Sequence, residues 1–134
     1  MKKLALLLCI CFAVVVAGTA FAADKPEQVY AKYLKSLASA KSMADLSSYF
    51  PKVKFSEIKK MDKAQVEMIF GMLKASIPQS YKVKSVKIVK NNATMLLDGM
   101  TPDPFSNNEV KKATAKIIFL NEKGWKIVED NWTF

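Results

Sequence analysis

The chain has 134 residues and a formal net charge of +9, from 21 Lys+Arg against 12 Asp+Glu, and it contains no His. Every basic residue is Lys. Without His there is no Ser-His-Asp or Cys-His catalytic set and no His-ligated metal, and without Arg there is no planar fork for phosphate or carboxylate.

The length fits one domain that buries a core without disulfide staples. At the N-terminus, Lys2 and Lys3 precede an apolar run from Leu4 to Ala17, followed by Gly18-Thr19-Ala20-Phe21-Ala22. Positive start, short apolar stretch and A-x-A site together predict a secretory signal peptide over 1–22, cleaved after Ala22. The apolar run falls short of the roughly 20 residues a membrane-spanning helix needs. Cys9 and Cys11 are the chain's two Cys and lie within this leader. Leu8 and Ile10 stand before them, where lipidation requires a small residue. The expected mature product is a single Cys-free domain, 23–134, periplasmic or secreted.

Asp24-Lys25-Pro26-Glu27 reads as a helix start, with Asp24 as cap and Pro26 in the first turn. Val29, Tyr30, Tyr33, Leu34 and Leu37 then follow at helical spacing, predicting helix one over about 25–40. Ser42 to Asp45 repeats the cap pattern. Met43, Leu46, Tyr49 and Phe50 predict a short second helix closed by Pro51. Residues 51–61 are basic and read as irregular. Asp62 and Gln65 form a third cap pair, and Val66, Ile69, Phe70, Leu73 and Ile77 predict a helix over about 63–76, stopped by Pro78.

Period two then takes over. Tyr81 to Val89 alternates with a phase slip that predicts a β-bulge near Ser85. Asn91-Asn92 predicts a turn, Ala93 to Leu97 a return strand, residues 99–108 a loop, 110–120 a long strand, Asn121 to Gly124 a turn, and Trp125 to Trp132 a last strand. Helices first and an antiparallel meander after define an α+β layer, with N-terminal helices packed on a curved four-stranded sheet.

The stretch Ala113-Thr-Ala-Lys-Ile-Ile-Phe-Leu-Asn-Glu-Lys-Gly-Trp-Lys-Ile-Val resembles the terminal hairpin of the nuclear-transport-factor-like superfamily. These small cystatin-like cones include ketosteroid isomerases, SnoaL-like cyclases and small secreted proteins. In this hairpin Gly124 supplies a positive-φ position and Trp125 covers the sheet. The resemblance implies a curved sheet wrapped around helix one, often with an apolar pocket between them, and it often accompanies dimers. The superfamily's enzymes use Asp–His or Asp–Tyr sets. This chain has no His, and no Asp aligns with those positions.

Four residue groups carry the functional expectations. Tyr30, Tyr33, Phe70 and Trp125 are the candidate wall of a small apolar ligand's pocket between helix one and the sheet, against plain core packing. Lys52, Lys54, Lys59, Lys60, Lys82 and Lys84 are a candidate basic patch, because residues 50–90 hold ten Lys and three acidic residues. Its partner would be an anionic surface or an acidic protein, with nucleic acid disfavoured by the lack of Arg and interleaved aromatics. The alternative is a solvated face that guards strand edges. Asp98 and Asp103 are candidate proton-transfer bases, against ordinary turn chemistry. Met61, Met68, Met72, Met95 and Met100 read as core gap-fillers rather than a soft-metal site. Leu96, Ile118 and Leu120 fall on the sheet face the helices leave open, which points to a homodimer through that face, against cover by long Lys stems and the chain ends.

The sequence thus reads as an exported, non-enzymatic binding or interaction module without a cofactor. Two alternatives stand beside it. One is an isomerase- or cyclase-like enzyme using a buried Asp with a Tyr. The other is a structural partner protein, docking by its basic patch or sheet face, which a filled interior would favour.

Overall fold

Residues 23–134 are described in the structure, a computed structural model. The leader assigned to 1–22 lies outside the described residues.

Helix α1 spans Pro26–Ser39, and Pro26, Tyr30, Tyr33 and Leu37 form its buried stripe. That spacing of four, three and four residues is one face of a 3.6-residue helix. The start differs by one residue from the sequence reading. Lys25 is the N-cap residue, and its backbone N–H donates to the Gln28 side chain at 2.8 Å. Asp24 instead pairs with Lys32, about two turns into the helix on its exposed face.

A 3₁₀ helix, η1, follows at Met43–Tyr49. Asp45 accepts from the backbone N–H groups of Lys41 and Ser42, at 2.9 and 3.2 Å, which sets its start. Met43 and Leu46 are buried, as is Phe50 just beyond.

The stretch read as irregular is helical. Helix α2 covers Lys52–Lys59 with Pro51 at its N-cap. Pro51 fixes φ at the entry, and its carbonyl accepts the first helical bond from Phe55 at 3.1 Å. The sequence hid this helix because only Ile58 is buried and Phe55 half-buried, too narrow a stripe for a periodicity argument. Helix α3 spans Lys63–Ala75 with Asp62 capping Gln65 N–H at 2.8 Å, as expected.

Four strands complete the chain: β1 Ser80–Val89, β2 Asn92–Asp103, β3 Glu109–Asn121 and β4 Trp125–Thr133. They form one open antiparallel sheet in sequence order, with β1 and β4 at the edges. The bulge expected near Ser85 is present, as a register shift between Val83 and Ser85. The first turn sits one residue early, with Lys90 at positive φ. The loop read over 99–108 is shorter than expected, because β2 and β3 pair out to Asp103 and Glu109. The architecture is α+β.

The sheet's inner face carries the core. Ala93, Met95 and Leu97 on β2, Ala115, Ile117 and Phe119 on β3 and Ile127 on β4 are buried against α1 and η1. Large side chains require small ones opposite. In β3, Ala113 is in register with Gly99 and Ala115 with Trp132. A Cβ at Gly99 would lie 2.5 Å from the Ser80 carbonyl oxygen and 3.0 Å from the Trp132 ring. The backbone contact cannot yield by a rotamer change. Gly99→Ala is therefore expected to destabilise the domain by about 1–3 kcal/mol, measured as a lower denaturation midpoint with an unchanged slope.

Candidate functional site

The expected ligand wall is the starting point. Tyr30 and Tyr33 are 0% and 1% exposed. Their rings lie 6.0 Å apart, and Tyr30 meets Tyr81 edge-on at 5.5 Å. Tyr33 meets Tyr49 and Phe50 in the same way, at 5.7 and 5.9 Å. Aromatic edges thus fill the space between α1 and the sheet. Phe70 is half-buried on the inner side of α3, with the Lys74 ammonium 5.2 Å above its ring. Trp125 opens β4 and lines a cleft of about 300 Å³ with Asp24, Lys32 and Tyr49. All four residues contribute to one core, but no cavity described here has all four as lining.

The six basic residues divide between opposite edges of the sheet. Lys52, Lys54 and Lys59 lie on α2, and Lys60 caps its C-terminus. That helix is tied to the β3–β4 side: Lys52 N–H donates to Glu122 and the Lys54 ammonium donates to the Val128 carbonyl. Lys82 and Lys84 lie on β1, the far edge. Three of the six are also engaged. The Lys59 ammonium lies 5.3 Å above the Phe55 ring. Lys84 pairs with Asp98 at 3.6 Å. Lys54 is half-buried over Phe50, and desolvation lowers its pKa, against the opposing pull of Glu129 and Asp130. On β1, Lys82, Lys84 and Lys87 line an unpaired edge, where charge blocks strand addition.

The candidate bases both perform structural work. Asp98 is exposed and ion-paired. Asp103 accepts from Lys111 at 3.0 Å and from Phe105 N–H at 2.9 Å, closing the β2–β3 turn. The Lys111 ammonium is the main cause that holds its carboxyl below the usual range.

A different carboxylate stands beside a tyrosine. Tyr30 donates to both oxygens of Asp130, at 3.3 and 3.4 Å. Asp130 faces the core because β4 shifts register between its pairs with Ile118 and Phe119. Sequence alternation along β4 missed this, although the run Ile127-Val128-Glu129-Asp130 breaks period two. Burial pushes the Asp130 carboxyl up to about 6, opposed by the Tyr30 hydrogen bond and the Lys54 charge. Burial likewise pushes the Tyr30 hydroxyl upward, with the Asp130 charge adding to it. The Trp132 indole N–H in this cluster is buried and outside hydrogen-bond geometry. Tyr30 is sealed from solvent, so the pair offers a substrate no approach to its hydroxyl.

The methionines split. Met95 is fully buried, but Met68 and Met72 are 61% and 66% exposed and Met61 is 40% exposed. Three of the five expected gap-fillers therefore sit on the surface. Met68 and Met72 lie on α3, which meets the core by one half-buried side and buries no residue fully, and Met61 precedes its cap.

The largest cleft described, about 700 Å³, opens on the outer face at one end of the sheet. Lys82, Asp98, Thr114 and Thr133 cross it in register, with Gly99 between Asp98 and Met100 in its floor.

No family model and no curated protein matches the chain. Among solved structures, it is similar to the intermembrane-space region of the chloroplast protein ARC6, at a TM-score of 0.35 and 16% identity, over 79% of this chain and 92% of that one.

The half-buried Asp130 makes stability depend on pH. Its carboxyl titrates near 6 in the fold, against about 3.9 in an unfolded chain. Between those values the folded state holds a proton that the unfolded state releases. This group's stabilisation is full below about 3.9 and is lost as pH rises through the folded value. Asp130→Asn keeps an acceptor for Tyr30 without the charge. It is expected to add about 1–2 kcal/mol at neutral pH and to flatten the stability profile between about pH 4 and 7, measured by denaturant unfolding across that range.

Proposed function

We propose that the chain is an exported interaction module that works from its exterior rather than by enclosing a ligand or by catalysis. The observation that carries this reading is the complete burial of Tyr30 and Tyr33 between α1 and the sheet. The position where a cone of the nuclear-transport-factor-like type holds a ligand is here packed with aromatic rings. The chemistry agrees. Asp98 and Asp103 are committed to ion pairs and a turn, and half-buried Asp130 faces a Tyr30 hydroxyl that is sealed from solvent.

Membership of that superfamily belongs to the same proposal. It is supported by the element order and by the Gly124 turn, where φ is +115°. Export is supported by the leader pattern of residues 1–22 and by the Cys-free remainder. Among the described residues no helix is long and apolar enough to cross a membrane. The open sheet face supports a second reading, pairing of two copies: Leu96 is 41% exposed there, beside half-buried Ile118 and Leu120.

Native mass spectrometry of the processed protein, recovered from the periplasm of an expressing cell, tests the module reading. The expected spectrum shows the bare polypeptide mass, beginning at Ala23. A small molecule retained through gentle ionisation, and lost on Tyr33→Ala, overturns it. The same spectrum counts copies. A dimer that Leu96→Lys dissolves identifies the sheet face as the interface.

A further inference from the structure

Helix α3 is apolar on both sides. Val66, Ile69, Phe70 and Leu73 form its half-buried inner side. Ala64, Met68, Gly71, Met72 and Ala75 are all exposed, and their spacing of four, three, one and three residues places them on one outward stripe. No charge interrupts that stripe. A helix with apolar residues on two opposite sides is expected to meet an apolar partner on each, yet this one has solvent on its outward side. Gly71 sharpens the point. A Cβ there would meet nothing within 4 Å, so the fold itself gives no reason for a residue that weakens a helix relative to Ala.

The charge around the stripe is net positive. Residues 52–75 carry six Lys and three acidic residues. Among the described residues only Lys63 of these six pairs with a carboxylate, Glu67, at 3.8 Å. Lys59 and Lys60 lead through exposed Met61 into the start of α3, and Lys63 and Lys74 share one flank of the stripe with Glu67 by helical spacing.

We propose that this outward face of α3, together with the Lys59–Lys63 link, docks onto an anionic lipid surface. Met68 and Met72 enter the interfacial layer with the helix lying in its plane, and the lysines reach the phosphates on flexible stems. The occupant follows from size and charge. A helix of 13 residues presents a face of about 20 by 10 Å. That footprint is far below the roughly 800 Å² per partner of a stable protein interface. A second copy would also bring like charge against like charge. A lipid surface requires no matched footprint, and its negative potential acts on every lysine within a Debye length.

The proposal deepens the exterior-docking reading, and its test is separate. The processed protein is floated with vesicles of phosphatidylglycerol and phosphatidylethanolamine in roughly equal parts, and with vesicles of phosphatidylcholine alone. Binding is expected to the first, at least about tenfold weaker to the second, and weakened by salt. Met68→Gln/Met72→Gln and Lys60→Gln/Lys63→Gln are each expected to weaken it about tenfold. Lys87→Gln/Lys116→Gln, which removes the same charge from the sheet, is expected to leave it intact. Circular dichroism and melting confirm that each variant is folded. No binding to anionic vesicles overturns the proposal. So does binding that ignores the Met pair, or that falls equally in the sheet control. Self-association that Met68→Gln/Met72→Gln abolishes, or an acidic protein captured in place of lipid, overturns it too and reassigns the face. A retained small molecule in the mass spectrum would defeat the module reading and leave the vesicle result standing.

Discussion

The fold depends on how α1 meets the sheet, and the largest side chains of that contact are two tyrosines, Tyr30 and Tyr33, with Leu37 beside them. A phenol brings large apolar area and one hydroxyl that must be accounted for. Leaving a buried hydroxyl unpaired costs about 1–3 kcal/mol. Tyr30 is sealed from water, so the sheet has to supply an acceptor. It does so through the register shift in β4, which turns Asp130 inward beneath Tyr30. The consequences extend outward from there. A carboxylate in that position is desolvated, and its ionised form costs stability at neutral pH. The Lys54 ammonium, itself partly desolvated, approaches from α2 and offsets part of that cost. Lys54 also donates to the Val128 carbonyl within the irregular stretch of β4. One aromatic choice in α1 thereby accounts for the irregularity of β4 and for the position of α2 beside it.

The same packing explains where small residues occur. Trp132 needs room over β2 and β3, and Gly99, Ala113 and Ala115 provide it. Rings on one side and missing side chains on the other make a full interior from a short chain. A domain of this size has little apolar surface to spare, so aromatic residues assigned to a ligand wall are removed from the core. The interior of this fold has made that choice in favour of stability. What the chain leaves exposed is the outer cleft, the open sheet face and the outward sides of the helices.

Much of the architecture was legible because patterning and turn chemistry agreed. Asp62 with Gln65, Ser42 with Asp45 and the phase slip at Ser85 each mark a structural feature with few residues, and each is present. The parts that escaped share a physical reason. Helix α2 has one buried residue and a proline start, so it shows no period to detect. Asp130 faces inward only because β4 is irregular, and strict alternation assigns it to the wrong side. The basic patch was inferred from proximity in sequence, whereas sheet order separates β1 from the edge where α2 packs. The methionines show the limit of hydropathy alone. Met95 and Met68 are chemically identical, and only the relation of each element to its neighbours leaves one at 0% and the other at 61% exposure.

The choice of cation bears on what the exterior can recognise. All basic residues of this chain are Lys. An ammonium on a flexible stem is a point charge without a fixed fork, whereas guanidinium binds a carboxylate or phosphate in one plane with two parallel bonds. A surface that had to select one acidic partner by geometry would gain from Arg at its centre, as the tight spots of protein interfaces do. A surface built only from Lys gains attraction and little stereochemistry. It suits a target whose charge is spread out and whose groups rearrange to meet it. Thioether side chains share that property on the apolar side, since Met adapts its shape to whatever it contacts. The outward face of α3 combines the two least demanding side chains available for charge and for apolar contact, and that combination favours a soft, extended surface over a shaped one.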